Sequence, residues 1–258
     1  MILSKIIQEK RKVVEAAKMN LSMKELMEKV SRLCIKSSFK KNISRPHHIN
    51  LIAELKKASP LKGIIRGDFN PTQIAVTYQA QGAGAVSVIT DERFFEGRIE
   101  YLKEVKDRVT IPILRKDFII DEYQVYESAL WNSDAILLIA DILTEEEMRR
   151  FINLSKELGM DTLCEVHNEE DIHKCIEAGA QIIGINNRDL HSFKVDINTT
   201  KRLIRFIPDS KVKVSESGIR TYEDVMFMKS LGINAVLIGE VFMEAADIAA
   251  KIREMFRY

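Results

Sequence analysis

This chain has almost no charge imbalance and few cysteines or prolines. Its 39 lysines and arginines meet 38 aspartates and glutamates, which leaves a formal charge of +1 over 258 residues. That balance excludes the long-range field of a nucleic-acid or membrane-surface binder. The three cysteines, Cys34, Cys164 and Cys175, have neither zinc nor redox spacing. No disulfide framework is expected, and Cys164 and Cys175 read as reduced core residues. No apolar signal region opens the chain and no apolar run is long enough for a membrane span, so a cytoplasmic protein without membrane contact is expected. Of the five histidines, His47 and His48 are adjacent, and on a strand they would point opposite ways. His167, His173 and His191 fall on unrelated elements at the surface or a pocket edge, so no metal set is expected. Neither a dinucleotide glycine motif nor a Walker motif occurs, and no cofactor is expected.

What the chain does have is a repeat. Apolar runs at 51–53, 85–89, 111–114, 136–139, 162–164, 182–185, 212–214 and 235–238 are each long enough for a buried parallel strand. They close near Glu54, Thr90, Lys116, Asp141, Glu165, Asn186, Ser217 and Gly239, and the intervals of 21 to 36 residues hold a loop and a helix. Helix starts are legible at Asn70-Pro71, at Thr144 with Glu147, at Asn168, and at Thr221 with Asp224. Eight such units in about 250 residues predict an α/β fold, a (β/α)8 TIM barrel, and a doubly wound sheet is the alternative. Residues 1–48 stand outside the repeat. Their helix-spaced Ile2, Leu3, Ile6, Ile7, Val13 and Val14, with a further turn at Leu26, Met27 and Val30, predict an N-terminal helical extension covering the barrel. The whole of 1–258 reads as one domain.

Barrel enzymes keep their chemistry where the strands end. Glu54 and Lys56, two apart on a strand, share a side, so the lysine could hold an anion with the glutamate holding the lysine. A strand-end ion pair accounts for them equally well. Lys116, partly desolvated near acids, could be a cationic general acid, or it could neutralise Asp117. Glu165 follows apolar residues that should raise its pKa, which suits a general base, or it pairs with a neighbouring strand-end cation. Asn186, in Asn186-Asn187-Arg188-Asp189, offers amide donors or simply builds a turn. Glycines at 218 and 239, after the seventh and eighth strands, stand where barrels hold phosphate. Lys62 and Arg66 add positive charge to a long loop after the first strand, which could be a lid or a solvated loop. Phe95, in an aromatic loop, and Phe118 could wall a pocket.

Several longer strings then fall in a familiar order. They are Ile52-Ala53-Glu54-Leu55-Lys56-Lys57-Ala58-Ser59-Pro60, Leu114-Arg115-Lys116-Asp117-Phe118-Ile119, Glu165-Val166-His167, Gly184-Ile185-Asn186-Asn187-Arg188-Asp189-Leu190, Ser215-Glu216-Ser217-Gly218-Ile219 and Leu237-Ile238-Gly239-Glu240. Over nearly its whole length the chain resembles the indole-3-glycerol phosphate synthases of tryptophan biosynthesis. The resemblance implies a phosphorylated small-molecule substrate, 1-(2-carboxyphenylamino)-1-deoxyribulose 5-phosphate, and a ring closure with loss of carbon dioxide and water. It assigns catalysis to Lys116 as acid and Glu165 as base, with Glu54, Lys56 and Asn186 beside them. It assigns substrate binding to Ser59, Phe95, Phe118, Arg188, Leu190, Glu216, Ser217, Gly218, Ile238 and Gly239. It implies a monomer with no nucleic-acid partner, and weak association with other enzymes of the pathway is a further expectation.

Two positions depart from the family pattern. Leu61 stands where many members have serine, and Glu240 where some have serine or threonine. A carboxylate at 240 would weaken anion binding unless it points away. Phosphoribosylanthranilate isomerase, a related barrel, would need a cysteine and an aspartate at strand ends, but Cys164 should face away from the side of Glu165. A barrel kept only as a scaffold would not need the acid and base.

Overall fold

The computed structural model describes residues 2–189 and 192–257, so the expectations for Leu190 and His191 fall outside the described residues. Eight parallel strands form a ring: β1 (Asn50–Leu55), β2 (Ala85–Ile89), β3 (Ile113–Lys116), β4 (Ala135–Ile139), β5 (Asp161–Val166), β6 (Ile182–Asn186), β7 (Val212–Glu216) and β8 (Ala235–Ile238). Each pairs with its sequence neighbours and β8 closes on β1, with Asn50 opposite Ala235 and Ala53 opposite Ile238. The doubly wound alternative is thereby excluded. These runs are apolar on both faces because helices cover the outside while side chains fill the inside.

The period of two along each strand carries the barrel from core to mouth. Inward-facing Ile52, Leu114, Leu163, Ile182, Val214 and Leu237 belong to the interior cluster. Two residues further along the same strands stand Glu54, Lys116, Glu165, Gly184, Glu216 and Gly239. Alternate residues such as Ala53, Val86, Cys164 and Val236 pack outward against helices. Cys164 and Cys175 are both buried and free, as expected.

The helix starts read from sequence cap as expected. Asn70 accepts from the Gln73 N–H, Thr144 and Thr221 form capping boxes with Glu147 and Asp224, and Asn168 accepts from the Asp171 N–H. Two strand ends differ. β4 stops at Ile139, and Asp141 lies in the 3-10 turn Ala140–Ile142, exposed and not among the residues that line the cavity. Thr90 follows β2, buried among polar groups outside the barrel interior. The loop after β1 is less irregular than its sequence suggested, because Ala58–Ser59 and Gly63–Ile64 pair as an antiparallel hairpin.

The N-terminal segment folds as α1 (Ile2–Asn20), α2 (Met23–Val30) and a short helix α3 (Phe39–Asn42). Leu3, Ile6, Lys10 and Val14 form the buried stripe of α1, whereas Val13 is half exposed, so only part of the expected apolar set faces inward. Phe39 and Ile43 are fully buried and join the interior cluster at the start of the strands. The extension therefore reaches the barrel at both ends.

Candidate active site

Alternation delivers charged side chains from four strands into one space. Lys116 Nζ lies 3.0 Å from Glu165 Oε2 and 3.4 Å from Glu216 Oε2. Lys56 Nζ lies 3.0 Å from Glu54 Oε1. Asn186 Nδ2 donates to Glu165 Oε1 at 3.1 Å, and the Arg188 N–H donates to Asn186 Oδ1 at 3.0 Å, which fixes which way the amide faces. The expected pairing of Glu54 with Lys56 is thus present, and Lys116 turns to Glu165 rather than to Asp117.

Two glycines make room for the carboxylates. A Cβ at Gly184 would stand 2.4 Å from Glu216 Oε1, and one at Gly239 would stand 2.7 Å from Glu54 Oε1. Sequence reasoning gave Gly239 to phosphate, but its lack of a side chain is already required by Glu54. Ser217 and Gly218 both hold positive φ, 67° and 82°, in the turn after β7.

Charges in this buried space set one another. Burial works against the Lys116 ammonium, but Glu165, Glu216 and Glu54 outweigh it and push its pKa up, so it stays a cation. Burial also pushes Glu165 up, yet Lys116 and then His167, with hydrogen bonds from Lys116 and Asn186, bring it below the ordinary carboxylate value. The expectation of a raised Glu165 is therefore wrong, because the apolar strand supplies the desolvation while the neighbouring cation dominates. The raised acid is Glu216. Burial drives it up against the pull of Lys116, the charges of Glu165 and Glu54 add to the rise, and it reaches about 8. Both of its carboxyl oxygens are buried without a hydrogen-bond partner.

A cavity of about 380 Å3 collects the sequence-expected groups. Glu54, Lys56, Ser59, Phe95, Lys116, Phe118, Glu165, Asn186, Arg188, Glu216, Ser217, Gly218, Ile238 and Gly239 all line it. The rings of Phe95 and Phe118 stand 6.3 Å apart on one side. Ile2, Leu3 and Ile6 of α1 also line it, a contribution that sequence reasoning did not assign. The signal was available, because an apolar helix stripe outside the repeat has to cover something.

Glu240 does not point away from the cavity. It is neutralised there, with Lys62 Nζ 2.7 Å from Oε1, Arg220 3.4 Å from Oε1 and Arg188 3.4 Å from Oε2. Lys62 and Arg220 also pair with Glu244. Three cations therefore ring the end of the cavity nearest Gly218 and Gly239, and Lys62 ties the hairpin loop to the helix Glu240–Glu244.

Behind the mouth lies a second group missed in the sequence. Lys10 of α1 is 4% exposed and bonds Asp91 at 2.9 Å and Asp117 at 2.7 Å. Arg115 and Thr90 complete the shell around Asp117, whose other oxygen accepts from the Phe118 N–H. Burial raises Asp117, but Lys10 and Arg115 outweigh it and hold the carboxyl well below its usual range. The pair anchors α1 to the residue that follows Lys116.

Comparison with known proteins agrees with this geometry. The family described as "Indole-3-glycerol phosphate synthase" matches residues 3–255. Curated proteins of that name are similar over nearly their full length. The one from Alkaliphilus metalliredigens is 46% identical, covering 99% of this chain and 98% of the relative. The one from Caldanaerobacter subterraneus subsp. tengcongensis is 48% identical, covering 100% and 98%. Among solved structures, 3-hexulose-6-phosphate synthase from Salmonella typhimurium superposes with a TM-score of 0.63 at 15% identity, covering 81% of this chain and 97% of that one, a likeness of fold alone. No helix among the described residues is long and apolar enough to cross a membrane. Matched by the family over residues 3–255 and by full-length relatives at 46% and 48% identity, the chain belongs to the indole-3-glycerol phosphate synthase family.

Proposed function

We propose that this mouth closes the indole ring with Lys116 as general acid and Glu165 as general base. As a member of its family the protein is a carboxy-lyase of tryptophan biosynthesis. On this reading the substrate is 1-(2-carboxyphenylamino)-1-deoxyribulose 5-phosphate. The ring carbon bearing the carboxylate attacks the ribulose keto carbon, and Lys116 protonates the keto oxygen as that bond forms. Even a strongly held ammonium can do this, because the developing alkoxide is a far stronger base than a ketone. Carbon dioxide leaves and the ring regains aromaticity. The hydroxyl then departs as water while Glu165, held ionised, takes a proton from the methylene beside nitrogen.

The remaining groups bind and orient. Asn186 fixes Glu165, and Glu54 fixes Lys56, which faces the substrate's anionic groups. Phe95 and Phe118 flank the anthranilate ring. Ser217, Gly218 and Gly239 take the phosphate beside Arg188, Lys62 and Arg220, where Glu240 must share its cations with the incoming anion. Ser59, Glu216 and Ile238 complete the wall. The protein works in the cytoplasm as a monomer of one domain, with weak association to other enzymes of the pathway.

The observation that carries the reading is the 3.0 Å contact between Lys116 and Glu165 inside the cavity. The test is to incubate the purified protein with the ribulose anilide and follow indole fluorescence. Stoichiometric product and carbon dioxide are expected, and anilide left unconsumed by folded protein would overturn the proposal.

A further inference from the structure

The balance of the proposed reaction leaves one proton to be found. The substrate enters with an ionised carboxylate, which leaves as carbon dioxide, and the anilide N–H is kept in the product. The keto oxygen needs two protons to depart as water. The methylene gives up one, and the other must come from solvent in every turnover. Lys116, the proposed acid, has a side chain only 19% exposed, and Glu165 is more deeply buried still. With substrate filling the cavity, that proton needs a way in.

His167 lies beside Glu165, at the carboxyl oxygen that Lys116 does not contact. It follows Glu165 by two positions, so the end of β5 turns both side chains to the same side. Its Nε2 lies 3.4 Å from Glu165 Oε1, and its side chain is 11% exposed. Neither ring nitrogen has a hydrogen-bond partner, although both are shielded. On the far side, Nδ1 lies 3.9 Å from Asp171 Oδ2, and that same oxygen accepts from the His167 backbone N–H at 3.0 Å. Asp171 is itself 4.0 Å from Lys174 and within the field of Asp141. The imidazole thus bridges the buried base and the carboxylate at the start of the helix Glu169–Glu177. Catalytic hydrogen bonds of this length commonly tighten once the site is filled.

We infer that His167 is a proton relay acting through Glu165, a role that rests on the function proposed above. After Lys116 has given its first proton to the keto oxygen, the Nε2 proton of an imidazolium passes to Glu165 Oε1. Glu165, neutral for that moment, turns its carboxyl so that the same proton faces Lys116, which takes it and then protonates the departing hydroxyl. Glu165 next collects the methylene proton and returns it to Lys116, while His167, whose side chain is 11% exposed, turns its ring to water and takes its replacement there. Two protons leave Lys116, one arriving through His167 and one from the methylene, so the cycle closes.

The experiment compares wild type with His167→Asn and His167→Gln in the indole fluorescence assay, with and without added imidazole. Expected for both variants is a kcat lowered about 10-fold or more, a KM changed less than about 2-fold, and recovery of kcat that saturates with imidazole concentration. Circular dichroism and melting temperature identify which variant is folded, and the folded one is scored. Wild-type kcat in that variant would overturn the relay, as would a lost kcat that imidazole does not restore. Absence of product with wild type would instead overturn the proposed function.

Discussion

Replacing Lys116 by methionine should disable two groups at once. The ammonium sits 3.0 Å from Glu165 Oε2, and at an effective dielectric constant of about 20 that attraction is about 5.5 kcal/mol. This corresponds to about four decades in an ionisation constant. Without it, burial is left as the main influence on Glu165, which already has to be held down against that effect. Its carboxyl then rises towards neutrality and is protonated when substrate arrives. Losing an acid or a base separately costs roughly 10²–10⁴-fold, and two independent losses would multiply. The geometry instead predicts that Lys116→Met combined with Glu165→Gln falls less than about 10-fold below Lys116→Met alone. The assay is a double-mutant cycle on kcat from indole fluorescence at neutral pH, with substrate affinity measured separately. A double variant whose loss equals the product of the two single losses would refute the coupling.

Gly239→Ala places a Cβ 2.7 Å from Glu54 Oε1 and 2.8 Å from its Cβ, so Glu54 must move and loosen Lys56. A stability loss of about 1–3 kcal/mol in urea unfolding is expected from the overpacking, together with a lower kcat/KM, and unchanged kinetics would show that the position of Glu54 is immaterial. Lys10→Met removes the cation beside Asp91 and leaves Asp117 to Arg115, and it should cost about 3–5 kcal/mol of unfolding free energy at neutral pH. Because the folded-state pKa of Asp117 is depressed, its contribution is present above the unfolded value of about 3.9 and is lost as pH falls through the folded one. The stability gap between wild type and this variant should therefore narrow in acid, and a gap that stayed constant down to the acid limit would mean that Asp117 does not feel Lys10.

The barrel was legible because buried parallel strands are apolar throughout and because caps such as Thr144 with Glu147 mark helix starts locally. The site was legible for the same reason, since Glu54, Lys116 and Glu165 interrupt those runs. What stayed hidden depends on contacts between distant segments. Nothing local tells that Glu165 meets Lys116 closely enough to reverse the effect of its apolar strand, or that Glu216 takes the raised pKa instead. Asp141 looked like a strand end because the apolar run continues to Ala140, whereas pairing stops at Ile139 and the chain turns. Lys10 was not singled out in the sequence, although its four-residue spacing from Ile6 and Val14 already placed it on the buried stripe. The closeness of Gly239 to Glu54 stayed hidden for a similar reason, because the two residues come from opposite ends of the barrel sequence.

The two-residue climb from packed interior to reactive mouth also limits how such a chain can vary. Inserting or deleting one residue within β5 would turn Glu165 outward among the helices and bring Val166 into the cavity. The same would happen to Lys116 in β3 and Glu216 in β7. Changes of length are therefore confined to the connections between strands, and most readily to those at the end away from the mouth, because the connections that follow β1, β2, β3 and β7 carry Lys62, Phe95, Phe118 and Ser217 of the cavity wall.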